Sequence, residues 1–238
     1  MSLPRGINES ITVFIPKASA GADENENAVT VRPLETRPLA LKNEDNKAVA
    51  GVTNQAISPV VQACASKIQR GFVNDRVLVQ NVVDLDFASR AGALRYGGSK
   101  HGYDFDSDLS IRRDGCIGRL PVLTLYDFAS AFPSVAHAWL FAVLVCIRVP
   151  KGALNVFEAL YKDCDAYWCG GGVEYWLFKI ISGVLQGCPL SGSLFVIAID
   201  PLLFMFERHV MSPTYGLVAT CADDIRSFLE GFSICPSG

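Results

Sequence analysis

The order of apolar and polar positions divides the chain into short alternating segments and longer stretches of helical period. Residues 10–16 (SITVFIP) are rich in β-branched and aromatic side chains and predict a short strand. Residues 19–30 (SAGADENENAVT) are polar and acidic and read as a loop. Across 31–47 (VRPLETRPLALKNEDNK), Pro33 and Pro38 favour an extended segment, because proline lacks the N–H that a helix interior needs. From Lys47 to about Ile68, Val52, Ala56, Val60 and Cys64 recur at helical spacing, with Pro59 as an expected kink or break. Residues 76–95 predict a second amphipathic helix, and 96–116, rich in Gly, Asp and Ser, a loop.

The second half is more apolar. Leu120–Tyr126 (LPVLTLY) predicts a buried strand, and a helix is expected over 134–148, after Pro133. Residues 166–185 place Gly170, Gly171 and Gly172 between aromatic-rich flanks, a hairpin signal. Residues 190–209 predict a helix interrupted at Pro201. Residues 215–230 alternate around Ala222-Asp223-Asp224, which predicts strand, tight turn, strand.

A length of 238 residues allows one large domain or two small ones. With 50% hydrophobic residues the chain can build a core, which excludes global disorder. Its longest apolar runs, 139–147 and 194–199, are far shorter than the ~20 residues of a membrane span. The first twenty residues lack the apolar stretch of a secretory signal, so an intracellular setting, nuclear or cytoplasmic, is expected. Eight cysteines without a C-x-x-C pair fit reduced thiols there. The net charge of −3 counts against an extensive phosphate grip. It is unevenly spread: residues 1–120 sum to +1 and residues 121–238 to −4.

The acidic half focuses attention on Asp127, at the end of a strand, and on Asp223 and Asp224, at a turn. If the two elements are neighbours in one sheet, three carboxylates meet at one edge. Adjacent carboxylates repel unless a cation neutralises them. Mg²⁺ takes oxygen ligands, usually one or two carboxylates with phosphates and water. Two such ions form the clamp of in-line phosphoryl transfer. Each feature alone is more simply read as a strand terminator or a polar turn.

Their surroundings narrow the choice. Asp127 is followed by Phe132 in LYDFASAF; SGVLQGCPLSGSLF and then TCADDI come later, in that order. Asp127 with Phe132, the run Gln186-Gly187-Cys188-Pro189-Leu190-Ser191, and Ala222-Asp223-Asp224 resemble three successive motifs of the reverse transcriptases, most closely the retroelement type without long terminal repeats. Phe14-Ile15-Pro16-Lys17, Arg37-Pro38-Leu39-Ala40-Leu41 and Gln69-Arg70-Gly71-Phe72-Val73 are similar to motifs of that family's first half. The resemblance covers residues 10 to about 230.

That likeness implies an α+β fold of fingers and palm, the antiparallel palm sheet backed by helices and the thumb absent. Fingers would occupy 1–118 and palm 119–238, with a fingers-like insertion near 150–182. It implies an RNA-directed DNA polymerase that joins dNTPs to a primer 3′-hydroxyl, with RNA template and DNA primer as partners and no membrane. Asp127, Asp223 and Asp224 would be catalytic and would hold two Mg²⁺ ions, for which Mn²⁺ could substitute. Gln186 and Gly187 would lie beneath the incoming base pair. Lys17 and Arg37 are candidates for the triphosphate, as are the backbone amides of the small residues Ala129 and Ser130. Phe132, bulky and without an acceptor, would clash with a 2′-hydroxyl and so select deoxynucleotides; core packing is the other reading of that ring.

There are departures. Cys221 stands where the family usually has an aromatic, and Gly192 where it usually has proline. His101, His137 and His209 have no place in the expected metal site. The chain ends at Gly238, soon after Asp224, so a thumb, and an endonuclease in the full-length protein, are expected outside it; the 238 residues alone should extend a primer poorly. An RNA-directed RNA polymerase is disfavoured by Phe132 and by Ala222 before the paired aspartates. A catalytically inactive remnant, or a nucleic-acid-binding module retaining the fold, is the alternative from another class.

Overall fold

The computed structural model describes residues 4, 6–17, 35–97, 120–210 and 216–232. The acidic loop expected at 19–30, the loop from 98 to 116, the 118/119 division, His101, Cys116 and Cys235 lie outside these residues. The elements are β1 (Ser10–Pro16), β2 (Thr36–Lys42), α1 (Glu44–Cys64), α2 (Leu78–Gly97) and β3 (Leu120–Tyr126). There follow α3 (Ala131–Ser134), α4 (His137–Cys146), α5 (Lys151–Tyr161), β4 (Cys164–Gly170), β5 (Val173–Ile180), α6 (Ser191–Val210), β6 (Gly216–Cys221) and β7 (Asp224–Phe232). They form two compact units, each built from two stretches of chain: residues 1–59 with 130–198, and 60–129 with 199–238.

The first unit carries a four-stranded sheet in the order β2-β1-β4-β5. β1 pairs antiparallel with β2 and parallel with β4, and β4 and β5 form a hairpin that turns at Gly171-Gly172. One face of this sheet is buried through small and polar side chains: Ser10, Thr12, Ala40, Lys42, Cys164 and Ala166. Lys42 is satisfied there by the Asn8 carbonyl and by Cys164 Sγ at 3.6 Å. Asn46 donates to Asn8 Oδ1, and Asn8 in turn donates to the Ala159 and Lys162 carbonyls, tying α1 and α5 to the strands. Burial lowers the Lys42 pKa from the ordinary lysine value, with Cys164 acting in the opposite sense. Burial likewise raises that of the Cys164 thiol, against the influence of Lys42. In the same unit Leu140, Leu144, Phe157, Leu190 and Leu194 are fully buried, and the buried Ser191 hydroxyl meets the Tyr161 hydroxyl.

The outer edge of β2 is closed by a loop. Ala40 N–H donates to the Gln186 carbonyl at 3.0 Å, which brings the Gln186-Gly187 turn against the strand. Gly187 has φ +98°, and a Cβ there would stand 2.9 Å from the Ala40 oxygen. Both the backbone conformation and the close approach require glycine.

The second unit is a three-stranded antiparallel sheet, order β3-β7-β6, with α2 packed on it. Leu85 and Ala88 of α2 meet Leu217, Ala219 and Phe228 of the sheet. Arg76 closes the C-terminal end of α1: its guanidinium donates to the carbonyls of Gln62, Ala65, Ser66 and Gln69.

Several expectations need correction. LPVLTLY forms its strand, but the strand is not buried; Leu123, Leu125 and Tyr126 are exposed because β3 lies at the edge of its sheet. Neither Pro59 nor Pro201 interrupts its helix. Each removes one N–H donor, while Val61 and Leu203 nearby are buried and hold the helix in place. The helix expected over 134–148 forms as His137–Cys146, preceded by a short helical turn, Ala131–Ser134, that contains Pro133; α1 begins at Glu44 rather than Lys47, and α2 continues to Gly97. The start of α1 follows from Asn43, whose Oδ1 accepts the Asp45 N–H as an N-cap. Helix α5 has no counterpart in the sequence pattern read above, and it buries Phe157, Leu160 and Tyr161 along one side.

Gly187→Ala should destabilise the protein by about 1–3 kcal/mol, the usual cost of forcing a side chain into this backbone region. Equilibrium urea denaturation measures it.

Candidate active site

All three carboxylates belong to the second unit. β3 and β7 pair antiparallel up to Tyr126 opposite Ile225, so Asp127 follows β3 at the end where β7 begins. β6 and β7 pair up to Cys221 opposite Asp224, which leaves Ala222 and Asp223 as a two-residue turn at the same end. The backbone therefore gathers Asp127, Asp223 and Asp224 at one end of a single sheet. Asp127 is exposed and Asp223 half-buried, and among the described residues neither is in an ion pair.

Asp224 is different. Arg226, two residues along the same face of β7, donates from Nε to Asp224 Oδ2 at 3.0 Å and Oδ1 at 3.2 Å, and from Nη2 to Oδ2. Both oxygens of Asp224 are engaged. Among the described residues no three His, Cys, Asp or Glu side chains are arranged to hold a metal ion. The donor set that fits a hard divalent cation is thus the unpaired Asp127 and Asp223, in keeping with the one or two protein carboxylates Mg²⁺ usually takes. Burial first, and the Asp224 charge second, raise the pKa of Cys221 beside the turn, which keeps it a thiol.

The turn itself is held by a residue the sequence reading placed only by likeness. Gln69 is fully buried. Its Oε1 accepts the N–H groups of Gly71 and Ala222, each at 2.8 Å, and its Nε2 donates to the Ala222 carbonyl at 3.2 Å. Ala222 has φ +57°, and this amide brackets it from both sides. Around it, Arg70 N–H donates to the Thr220 carbonyl, Thr220 N–H to Ile68, and Asn81 Nδ2 to Thr220. Gly71 is required by proximity, since a Cβ there would overlap the Ala222 backbone. The Gln-Arg-Gly run therefore braces the Ala222-Asp223 turn. In the sequence the run carries only its likeness to the family motif, with no sign of the partner at Ala222.

Of the remaining candidates, Ala129 closes a stretch of the second unit, while Ser130, Phe132, Gln186, Gly187, Lys17 and Arg37 belong to the first. Ser130 has φ +55°, and its carbonyl accepts both the N–H and the hydroxyl of Ser134. Phe132 stacks on Phe195 with ring centroids 4.7 Å apart and planes 3° from parallel, while its carbonyl accepts the Val184 N–H. Lys17 and Arg37 are exposed and lie on one face of the β1–β2 hairpin, because Arg37 stands opposite Ile15 and Lys17 N–H donates to the Glu35 carbonyl. His137 is structural: Nε2 lies 2.8 Å from the Gly183 carbonyl, and the ring meets Tyr161 edge-on. His209 is exposed near the end of α6.

Gln69→Leu should cost about 3 kcal/mol or more, because three backbone groups of the brace lose their partner at about 1–3 kcal/mol each. The denaturation midpoint of the variant against the parent chain checks this.

Comparison with known proteins places the chain in a family. Residues 15–233 match the family described as reverse transcriptase (RNA-dependent DNA polymerase). The Retrovirus-related Pol polyprotein from type-2 retrotransposable element R2DM of Drosophila melanogaster is 25% identical over 236 residues, which is 96% of this chain. The chain spans 19% of that relative's length. Among solved structures, a telomerase from Candida tropicalis in complex with a TWJ fragment of telomeric RNA superposes with a TM-score of 0.60 at 12% identity. That match covers 97% of this chain and 37% of the telomerase. An apo form of that telomerase truncated from its C-terminal domain gives 0.52 at 10% identity, covering 95% and 44%. With a match that runs through nearly every described element and includes all three carboxylates, the chain belongs to the reverse transcriptase family.

Proposed function

We propose that this chain contributes the catalytic centre of an RNA-directed DNA polymerase, which adds dNTPs to a DNA primer opposite an RNA template. The observation that carries the reading is the meeting of Asp127 and Asp223, distant in sequence, at one end of the β3-β7-β6 sheet. In this reading they hold Mg²⁺, or Mn²⁺ in its place, as a two-ion site. The ions would supply neutralisation of charge on the attacking 3′-oxygen and on the departing pyrophosphate.

The chain's own residues would do the rest. Lys17 and Arg37, sharing one face of a hairpin, are suited to a triphosphate: arginine grips it with a fork of donors, lysine as a point charge. The backbone amides of Ala129 and Ser130 are assigned to the same phosphates. Gln186 and Gly187 are assigned to the surface under the base pair, supported by the rigidity that the Ala40 hydrogen bond gives their turn. Asp224 supports Asp223 rather than acting as an equal ligand. A cavity of about 370 Å³ in the second unit is lined by Lys67, Arg70, Arg76, Asp75, Val77 and Gln80; with Arg76 committed to backbone carbonyls and Arg70 to Asp84 and Asn81, Lys67 is the cation there suited to a nucleic-acid phosphate. An endonuclease elsewhere in the full-length protein, and action inside the cell, belong to the same proposal. Among the described residues no helix is long and apolar enough to cross a membrane.

A second reading, a remnant that keeps the fold without activity, draws support from the occupation of Asp224 by Arg226. Primer extension by the full-length protein on an RNA template with Mg²⁺ separates the two. Asp127→Asn and Asp223→Asn should each reduce extension by at least the roughly 10–100-fold that loss of an outer-shell partner costs at a metal site. Absence of metal-dependent synthesis by the parent protein would favour the remnant.

Phe132→Val should raise ribonucleotide incorporation and leave DNA synthesis largely intact. Single-nucleotide insertion with paired rNTP and dNTP reads this directly. Unchanged selectivity with lower stability would assign the ring to its stack on Phe195 alone.

A further inference from the structure

The Asp224–Arg226 pair has no role in the family likeness, and it changes the chemistry available at the sheet end. Asp224 and Arg226 alternate onto the same face of β7, the middle strand. Cys221 of β6 is directly opposite Asp224, and Leu125 and Ala219 flank Arg226 on either side. Leu125 and Ala219 carry no charge, and among the described residues Asp224 is the only acid paired with Arg226. The guanidinium meets both carboxylate oxygens of Asp224. A carboxylate held this way has to release a charge-assisted bond before it can offer an oxygen to a cation at the strand end.

We propose that Arg226 is a positioning residue that withholds Asp224 from divalent cations, leaving Asp127 and Asp223 as the protein's ligands. This rests on the reading of those two residues as the metal site. The pair also lowers the formal carboxylate charge at the sheet end from three to two. A pair of carboxylates binds Mg²⁺ weakly unless phosphates complete its shell. The protein on its own therefore takes up cations poorly, and occupancy rises when the triphosphate supplies further oxygens.

The test is Mn²⁺ binding to the 238-residue chain without nucleotide, read from the EPR signal of free Mn²⁺. The chains compared are the parent, Arg226→Met, Asp224→Asn, the double variant, Asp127→Asn and Asp223→Asn. Circular dichroism confirms that each is folded. Arg226→Met should tighten Mn²⁺ about fivefold or more, the scale of one further charge at a partly exposed site. Asp224→Asn alone should change the affinity less than twofold, and in the double variant it should cancel the gain. Arg226→Lys, which keeps the charge but loses the fork, should fall between parent and Met, and serves if the Met variant fails to fold.

An unchanged affinity in Arg226→Met and Arg226→Lys overturns the proposal. So does a loss in Asp224→Asn as large as that in Asp223→Asn. Indifference of Mn²⁺ binding to both Asp127→Asn and Asp223→Asn would instead overturn the metal-site reading on which the proposal stands. A change in stability without a change in Mn²⁺ affinity would make the pair a strand-stabilising contact and nothing more.

Discussion

One buried amide fixes the geometry on which the candidate site depends. Gln69 contributes both its acceptor and its donor to the Ala222-Asp223 turn and its remaining acceptor capacity to Gly71, with no water-exposed surface of its own. An amide in that position is worth more than its hydrogen bonds suggest, since each partner would otherwise be a polar backbone group without a mate. Ala222 sits at positive φ, which for a residue with a Cβ is an uncommon conformation, and the surrounding bonds must over-determine it. The turn angle sets where Asp223 begins, and the strand after it sets Asp224.

This brace links two levels of the structure that lie far apart in sequence. The segment from Ser66 to Arg76 has little regular structure of its own, yet it is anchored at each end. Arg76 satisfies four carbonyls at the close of α1, and Ile68 to Arg70 pair with Thr220. A pocket of polar contacts thus does for the turn what a further strand would do for a longer sheet. In the first unit the equivalent service is done by the Asn8, Lys42, Asn46 and Cys164 cluster, where a lysine without a carboxylate is tolerated because a carbonyl and a sulfur accept from it.

The parts of this fold that were legible in the sequence are those governed by local pattern. The alternation around Ala222-Asp223-Asp224 gave the hairpin, and three glycines between aromatic strands gave β4–β5. The sequence left the nearness of Asp127 and Asp223 conditional on their strands being neighbours, and the pairing of β3 with β7 meets that condition. What was illegible depended on partners distant in sequence. LPVLTLY looks the same whether its sheet covers it on both sides or leaves it at an edge, so its exposure could not be read. The prolines at 59 and 201 look like helix breaks, and only the burial of their neighbours shows otherwise. Gln69 gave no sign of its partner Ala222, and Arg226 read as one more residue of an alternating strand. The stack of Phe132 on Phe195 likewise joins the short helix α3 to α6, which the sequence keeps well apart.

The central claim is that Asp127 and Asp223 share one divalent cation. Anomalous diffraction from crystals of the protein soaked in Mn²⁺ together with a non-hydrolysable nucleoside triphosphate, which completes the cation's oxygen shell, tests it without reference to activity. The account predicts a strong anomalous peak within bonding distance of carboxylate oxygens of both residues, with Asp224 still paired to Arg226. A peak bound by only one of the two, or none at the end of the β3-β7-β6 sheet while Mn²⁺ is present elsewhere in the crystal, would contradict it.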